Sequence, residues 1–154
     1  MRNVIARAAL GVCLFSAGVV VAADLTPEEQ ILTRQAGYTF MGWNMSKIKA
    51  SVESDFDQKK IEAAANAIKG IAHSGMGALY GPGTDRDVGA AKTRAKPELF
   101  TDQEGVGKVA REFVAATDRM AEAAAGGDQA AIKQAFGALG QACKSCHEKY
   151  RADD

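Results

Sequence analysis

The 154-residue sequence predicts an all-α protein, an antiparallel up-down four-helix bundle, on three observations. Beyond residue 23 the chain is rich in Ala, Glu, Lys and Gln and poor in β-branched runs, which favours helix. Four segments carry apolar residues at spacings of three and four, each behind a recognisable cap. Short links join the first two and the last two segments, and one long loop joins the middle pair.

The first helix opens at Thr26-Pro27-Glu28-Glu29, where an N-cap Thr, a Pro at the first helical position and a Glu at the third make a capping box. Ile31, Tyr38, Met41, Met45, Ile48 and Val52 then form one buried stripe. Asp57 caps a second helix, whose stripe runs Ile61, Ala65, Ile68, Ala72 and onward to Leu79. From Gly81 to Phe100 the periodicity disappears, and Gly81, Pro82, Gly83, Gly89 and Pro97 predict a long ordered loop. Thr101-Asp102-Gln103-Glu104 predicts another capping box, opening a third helix with Val106, Val109, Phe113, Thr117 and Met120 inward. Gly126-Gly127 stops it and Asp128 caps the fourth. There the seam is Ile132, Phe136, Leu139, Cys143, Cys146 and Tyr150.

Residues 1–23 predict a secretory signal peptide rather than part of the bundle. Arg2 and Arg7 precede an uncharged apolar stretch from Ala8 to Val21, and Val21-Ala22-Ala23 supplies small residues before Asp24. The apolar run is too short for a membrane span, and no later segment qualifies. The expectation is a periplasmic protein with a mature domain over 24–154. Cleavage removes Cys13, leaving Cys143 and Cys146. It also takes two of the 19 basic residues, leaving 17 against 19 acids, a net charge of about −2 with no basic stripe for nucleic acid.

The chemistry concentrates in "QACKSCHEKYR", Gln141 to Arg151. On a helix Cys146 lies about 300° round from Cys143 and His147 about 400°, so the three share an arc of roughly 100°. C-x-x-C-H in an exported chain is the attachment signal of a c-type haem, with two thioethers and the His as axial iron ligand. The rival readings are weaker. A redox dithiol needs a βαβ context, a zinc site needs further ligands where only His73 remains, and a disulfide here closes a tiny loop.

The opposite face of the iron is less determined. His73 falls beside its helix's stripe, as a surface residue would. Met41 and Met45 lie on the first seam, where either can serve as a sixth ligand, although a Met on such a stripe is more often packing. Arg34 occupies a seam position where a buried charge needs a partner. A haem carboxylate would supply one, and snorkelling from the bundle's end is the alternative. Tyr38 lies one turn further in.

These residues together resemble the cytochromes c′, closest to those of purple phototrophic bacteria. The likeness covers essentially the whole mature chain: "TRQAGYTFMGWNM" on the first helix, the "YGPGT" turn, "KPELF" before the third helix and "CKSCHEKYR" at the end. The resemblance implies one covalent haem c per chain on Cys143 and Cys146, with His147 on iron that is five-coordinate. It implies binding of nitric oxide and carbon monoxide, with protection against nitric oxide or its carriage as the role; electron transfer with a redox partner of unknown identity is a further expectation. Arg34 and Gln35 match the pair that contacts the haem propionates, and Thr93 and Arg94 match a loop at the haem edge. Tyr38 matches the residue occluding the vacant iron face, often aliphatic in relatives, and Arg151 the basic residue beside the axial His. The alternative is a six-coordinate, low-spin electron carrier using Met41 or Met45. No acid–base pair for peroxide cleavage is evident, which argues against an enzyme.

A second stripe on the first helix, Ala36, Phe40, Trp43, Lys47 and Ala50, turns away from the haem seam. Gly37 and Gly42 beside that seam would let another helix approach. Pairing through the first helix, as the resemblance implies, makes a two-fold homodimer the expected assembly.

Overall fold

A computed structural model describes residues 24–153. The expected signal peptide at 1–23, with Cys13, lies outside the described residues. Four long helices build the molecule: α1, Pro27–Glu53; α2, Gln58–Ala72; α3, Gln103–Gly126; and α4, Gln129–Tyr150. They run up and down in an antiparallel bundle in which α1 packs on α2, α2 on α3 and α3 on α4. The ring closes loosely, because α1 meets α4 at only a few positions.

The caps explain where each helix begins. Thr26 Oγ1 accepts from Glu29 N–H, and the Glu29 carboxylate accepts from Thr26 N–H at 2.8 Å, a complete capping box. Asp57 accepts from Lys60 N–H and Asp128 from Ala131 N–H. The third start differs from expectation. Thr101 ends a separate helical turn, Glu98–Thr101, and Asp102 is the cap of α3, accepting from Gly105 N–H at 2.9 Å. Asp102 prevails because its carboxylate also takes the Tyr150 hydroxyl and the Lys149 ammonium, bonds a Thr hydroxyl would not make as strongly. Gly127 closes α3 in the left-handed region at φ 74°, where its N–H donates to Ala123 O.

The core lies along the expected seams. Ile31, Ile48, Ile61, Ile68, Met120, Ile132 and Leu139 are buried, with Phe113, Phe136 and Cys143 against them. Burial of each such aliphatic side chain contributes roughly 1.5–3 kcal/mol. The second stripe does not run on to Leu79. α2 ends at Ala72, Gly75 turns the chain at φ 83°, and Leu79 belongs to a separate 3-10 turn, Met76–Leu79.

Residues 80–97 form the ordered loop, and α1 holds it in place. Gln30 accepts from Gly81 N–H at 3.1 Å, Glu28 from Ala90 N–H at 2.8 Å, and Gln35 donates to Lys92 O. Gly89, at φ 57°, stands so close to the Glu28 carboxylate that a Cβ would overlap it. At its far end the loop pairs with the C-terminus. Lys96 N–H donates to Tyr150 O at 2.9 Å, and Ala152 N–H to Arg94 O at 2.8 Å.

Candidate functional site

Cys143 and Cys146 are free, half-buried thiols on α4. Burial pushes both above their ordinary ionisation range, and for Cys143 the neighbouring Cys146 adds to it, so both stay protonated at neutral pH. His147 follows on the exposed edge of the same helix. Its imidazole is held below its ordinary range by desolvation first, then by the positive charges of Arg151 and Arg94. The fold therefore brings both arginines into the electrostatic neighbourhood of His147 and favours the neutral ring, the form that binds a metal.

Across the loose α1–α4 seam stand two phenols. The Tyr80 hydroxyl donates to the Tyr38 hydroxyl at 3.1 Å. Desolvation raises the ionisation range of both, and each feels the Cys146 sulfur. Tyr38 still exposes 42% of its surface. Arg34, at 3% exposure, donates from Nη1 to Leu79 O at 3.0 Å and from Nη2 to Thr84 O and Thr93 Oγ1, both at 2.8 Å. Its guanidinium carbon lies 4.4 Å over the Tyr80 ring. Arg34 thus has protein partners for its charge and fastens the loop to α1. Gln35, exposed, does the same at Lys92.

Other sequence candidates lie elsewhere. Met41 is buried in the core and Met45 packs against it. His73 Nε2 lies 2.9 Å from Asp118 Oδ1, joining the end of α2 to α3. Gly37 does not await a second chain, because a Cβ there would press on Met76 of its own chain, 3.1 Å away. A groove of about 400 Å³ beside it, lined by Thr33, Ile71, Met76 and Leu79 among others, contains neither cysteine nor Tyr38. Tyr80 is the residue the sequence reading passed over. Its only signal was its place at the head of the "YGPGT" turn.

A family model described as cytochrome C' matches residues 29–151. The chain belongs to the cytochrome c′ family. Curated cytochrome c′ from Allochromatium vinosum is 61% identical over 153 residues, 99% of each chain. A solved cytochrome c′ described as having an unusual ligand-controlled dimer dissociation is 65% identical, with a TM-score of 0.84 over 85% of this chain and 100% of that one. Cytochrome c′ variants from Alcaligenes xylosoxidans have been solved with carbon monoxide and with nitric oxide bound. They are 28% and 27% identical, each with a TM-score of 0.73, covering 83% and 84% of this chain and 98% of theirs.

The cofactor of the family is haem c, and the residues present fit it. Two protonated thiols one helical turn apart and a neutral imidazole beside them supply the attachment chemistry. Tyr38 and Tyr80, both with raised ionisation ranges, stand across from the thiols. Among the described residues no cluster of three His, Cys, Asp or Glu side chains competes as a metal site.

Proposed function

We propose that this is a periplasmic haem c protein with five-coordinate iron, which binds nitric oxide and carbon monoxide and passes electrons without acting as an enzyme. Cys143 and Cys146 would form the thioethers and His147 would bind the iron. Arg34, Gln35, Thr93 and Arg94 make the rim toward the haem carboxylates, Arg151 lies beside His147, and Tyr38 screens the vacant side. Bound there, haem c would supply an iron able to change between ferrous and ferric and to bind a small molecule.

The observation that carries this reading is the occupant of the seam opposite the thiols. Tyr38 and Tyr80 are neutral phenols at pH 7, and burial raises the ionisation range of both further. Of the methionines that the six-coordinate alternative requires, Met41 is buried in the core and Met45 packs against it. Neutral phenols facing the iron would favour small uncharged ligands over anions. The gas-bound relatives support the same ligand class.

Residues 1–23 are proposed as the export signal, so the mature chain begins at Asp24 in the periplasm. Among the described residues no helix is long and apolar enough to cross a membrane. The partner proposed is a second copy of this chain, docked through the Phe40–Trp43 face of α1. The relative with ligand-controlled dimer dissociation supports a second copy as the partner.

A visible spectrum tests the central claim. The ferric protein should be high-spin, and acid-acetone extraction should leave its haem on the polypeptide. A low-spin, methionine-ligated spectrum overturns five-coordination. Haem passing into the organic layer overturns covalent attachment.

A further inference from the structure

We propose that Tyr80 is a positioning residue for the gas-binding site, acting through the hydroxyl of Tyr38 to set how readily the screen over the iron opens. The inference rests on the open-site reading above and adds to it a residue from the loop.

The argument begins with what holds Tyr80. Its ring lies under the Arg34 guanidinium, 4.4 Å from ring centre to guanidinium carbon, and edge-on to Phe100 with centroids 6.2 Å apart. Arg34 is itself anchored by three acceptors, Leu79 O at the end of the 3-10 turn and Thr84 O and Thr93 Oγ1 in the loop. Tyr80 is therefore held on one ring face by an anchored guanidinium and meets Phe100 edge to ring. Tyr38 stands on α1 at the seam, within the electrostatic reach of Cys143 and Cys146, and keeps 42% of its surface open. The bond from the Tyr80 hydroxyl to the Tyr38 hydroxyl, 3.1 Å long, ties Tyr38 to a phenol held by Arg34.

A phenol that must swing aside to admit a ligand pays for breaking whatever bond retains it. One neutral hydrogen bond in a partly desolvated seam corresponds to a factor of about two to ten in the population of the released rotamer. As donor, the Tyr80 hydroxyl leaves the proton of Tyr38 directed elsewhere. Neither phenol carries charge below its raised ionisation range. The pair therefore regulates access by a hydrogen bond and not by an electrostatic barrier.

Stopped-flow binding of carbon monoxide to the ferrous holoprotein tests this with Tyr80→Phe, Tyr38→Phe, the double variant and Tyr38→Ala. Tyr80→Phe and Tyr38→Phe each remove the same bond, so each should speed association about two- to tenfold. The double variant should be no faster than either, since the bond can be lost only once. In the infrared, the stretching band of bound carbon monoxide should broaden or split in Tyr80→Phe as Tyr38 samples further rotamers. A merely structural role would lower the melting temperature and leave that band alone.

Additive gains in the double variant overturn the inference, because Tyr80 would then act without Tyr38. If Tyr38→Ala accelerates binding while both Phe variants match wild type, this inference fails and the Tyr38 screen stands. If Tyr38→Ala also matches wild type, the screen itself fails and Tyr80 with it.

Discussion

Arg34 carries a full charge at 3% exposure, and three oxygens make that tolerable: Leu79 O, Thr84 O and Thr93 Oγ1. Desolvation lowers its ionisation range, but a guanidinium starts so high that it remains charged. Because one acceptor ends the 3-10 turn and two lie in the loop, one planar fork ties both segments to α1. Arg34→Ala should destabilise the protein by about 3 kcal/mol, the order expected when charge-assisted bonds are lost and buried carbonyls stay behind. Arg34→Lys should recover little of this, since one ammonium cannot span the three acceptors. Denaturant melts give the stability loss. Hydrogen exchange should speed at Thr84 and Gly81 before it speeds in the helices, and equal protection there would show that the loop stands without Arg34.

At the scale of an element, the start of α3 and the end of α4 form one clasp. Asp102 caps α3 through Gly105 N–H, takes the Tyr150 hydroxyl at 2.7 Å and receives Lys149 at 2.8 Å. The Lys149 and Tyr150 bonds, then the Gly105 amide, hold its carboxyl at about 2, below its ordinary 3.8. A depressed carboxylate stabilises the fold above its unfolded value and loses that contribution as pH falls through the folded one. The melting-temperature gap between wild type and Asp102→Asn should therefore be constant above about pH 5 and close between about 4 and 2. A gap unchanged at pH 2 would remove the ionised carboxylate from the clasp. Gly105 is the clasp's steric condition, because a Cβ there would overlap both the Asp102 carboxylate and the Tyr150 hydroxyl. Gly105→Ala should cost about 1–3 kcal/mol despite the better helix propensity of Ala, read as a lowered melting temperature.

For the whole molecule, the outward face of α1 matters. Phe40 and Trp43 expose 47% and 56% of their surface and touch at 5.4 Å between centroids. Lys47 Nζ lies 3.8 Å over the Trp43 ring. Trp43→Glu should separate the proposed dimer, because two-fold symmetry sets the new carboxylates against each other. The fold should survive, since that carboxylate lies one turn from Lys47 and the site is open to solvent. Sedimentation at micromolar concentration should show a wild-type dimer and a variant monomer with the haem spectrum kept. A wild-type monomer across that range would remove the dimer and leave the haem assignment untouched.

How much of this could be read from the chain follows the range of the forces involved. Helix starts at Thr26, Asp57 and Asp128, the seams through Ile48 and Ile132, and the shared face of Cys143, Cys146 and His147 all depend on neighbours within about four residues, where 3.6-residue periodicity acts. Those features were legible in the amino-acid order alone. The Thr101 cap, the overlong second stripe and the close-approach reading of Gly37 were misjudged because distant groups decide them: Tyr150 and Lys149 at Asp102, the left-handed Gly75, and Met76 against α1. The partners of Arg34 lie 45, 50 and 59 positions away, and Tyr80 lies 42 from Tyr38. Such pairs exist only once the path of residues 80–97 over α1 is set, and a loop without periodicity encodes that path in contacts rather than in spacing.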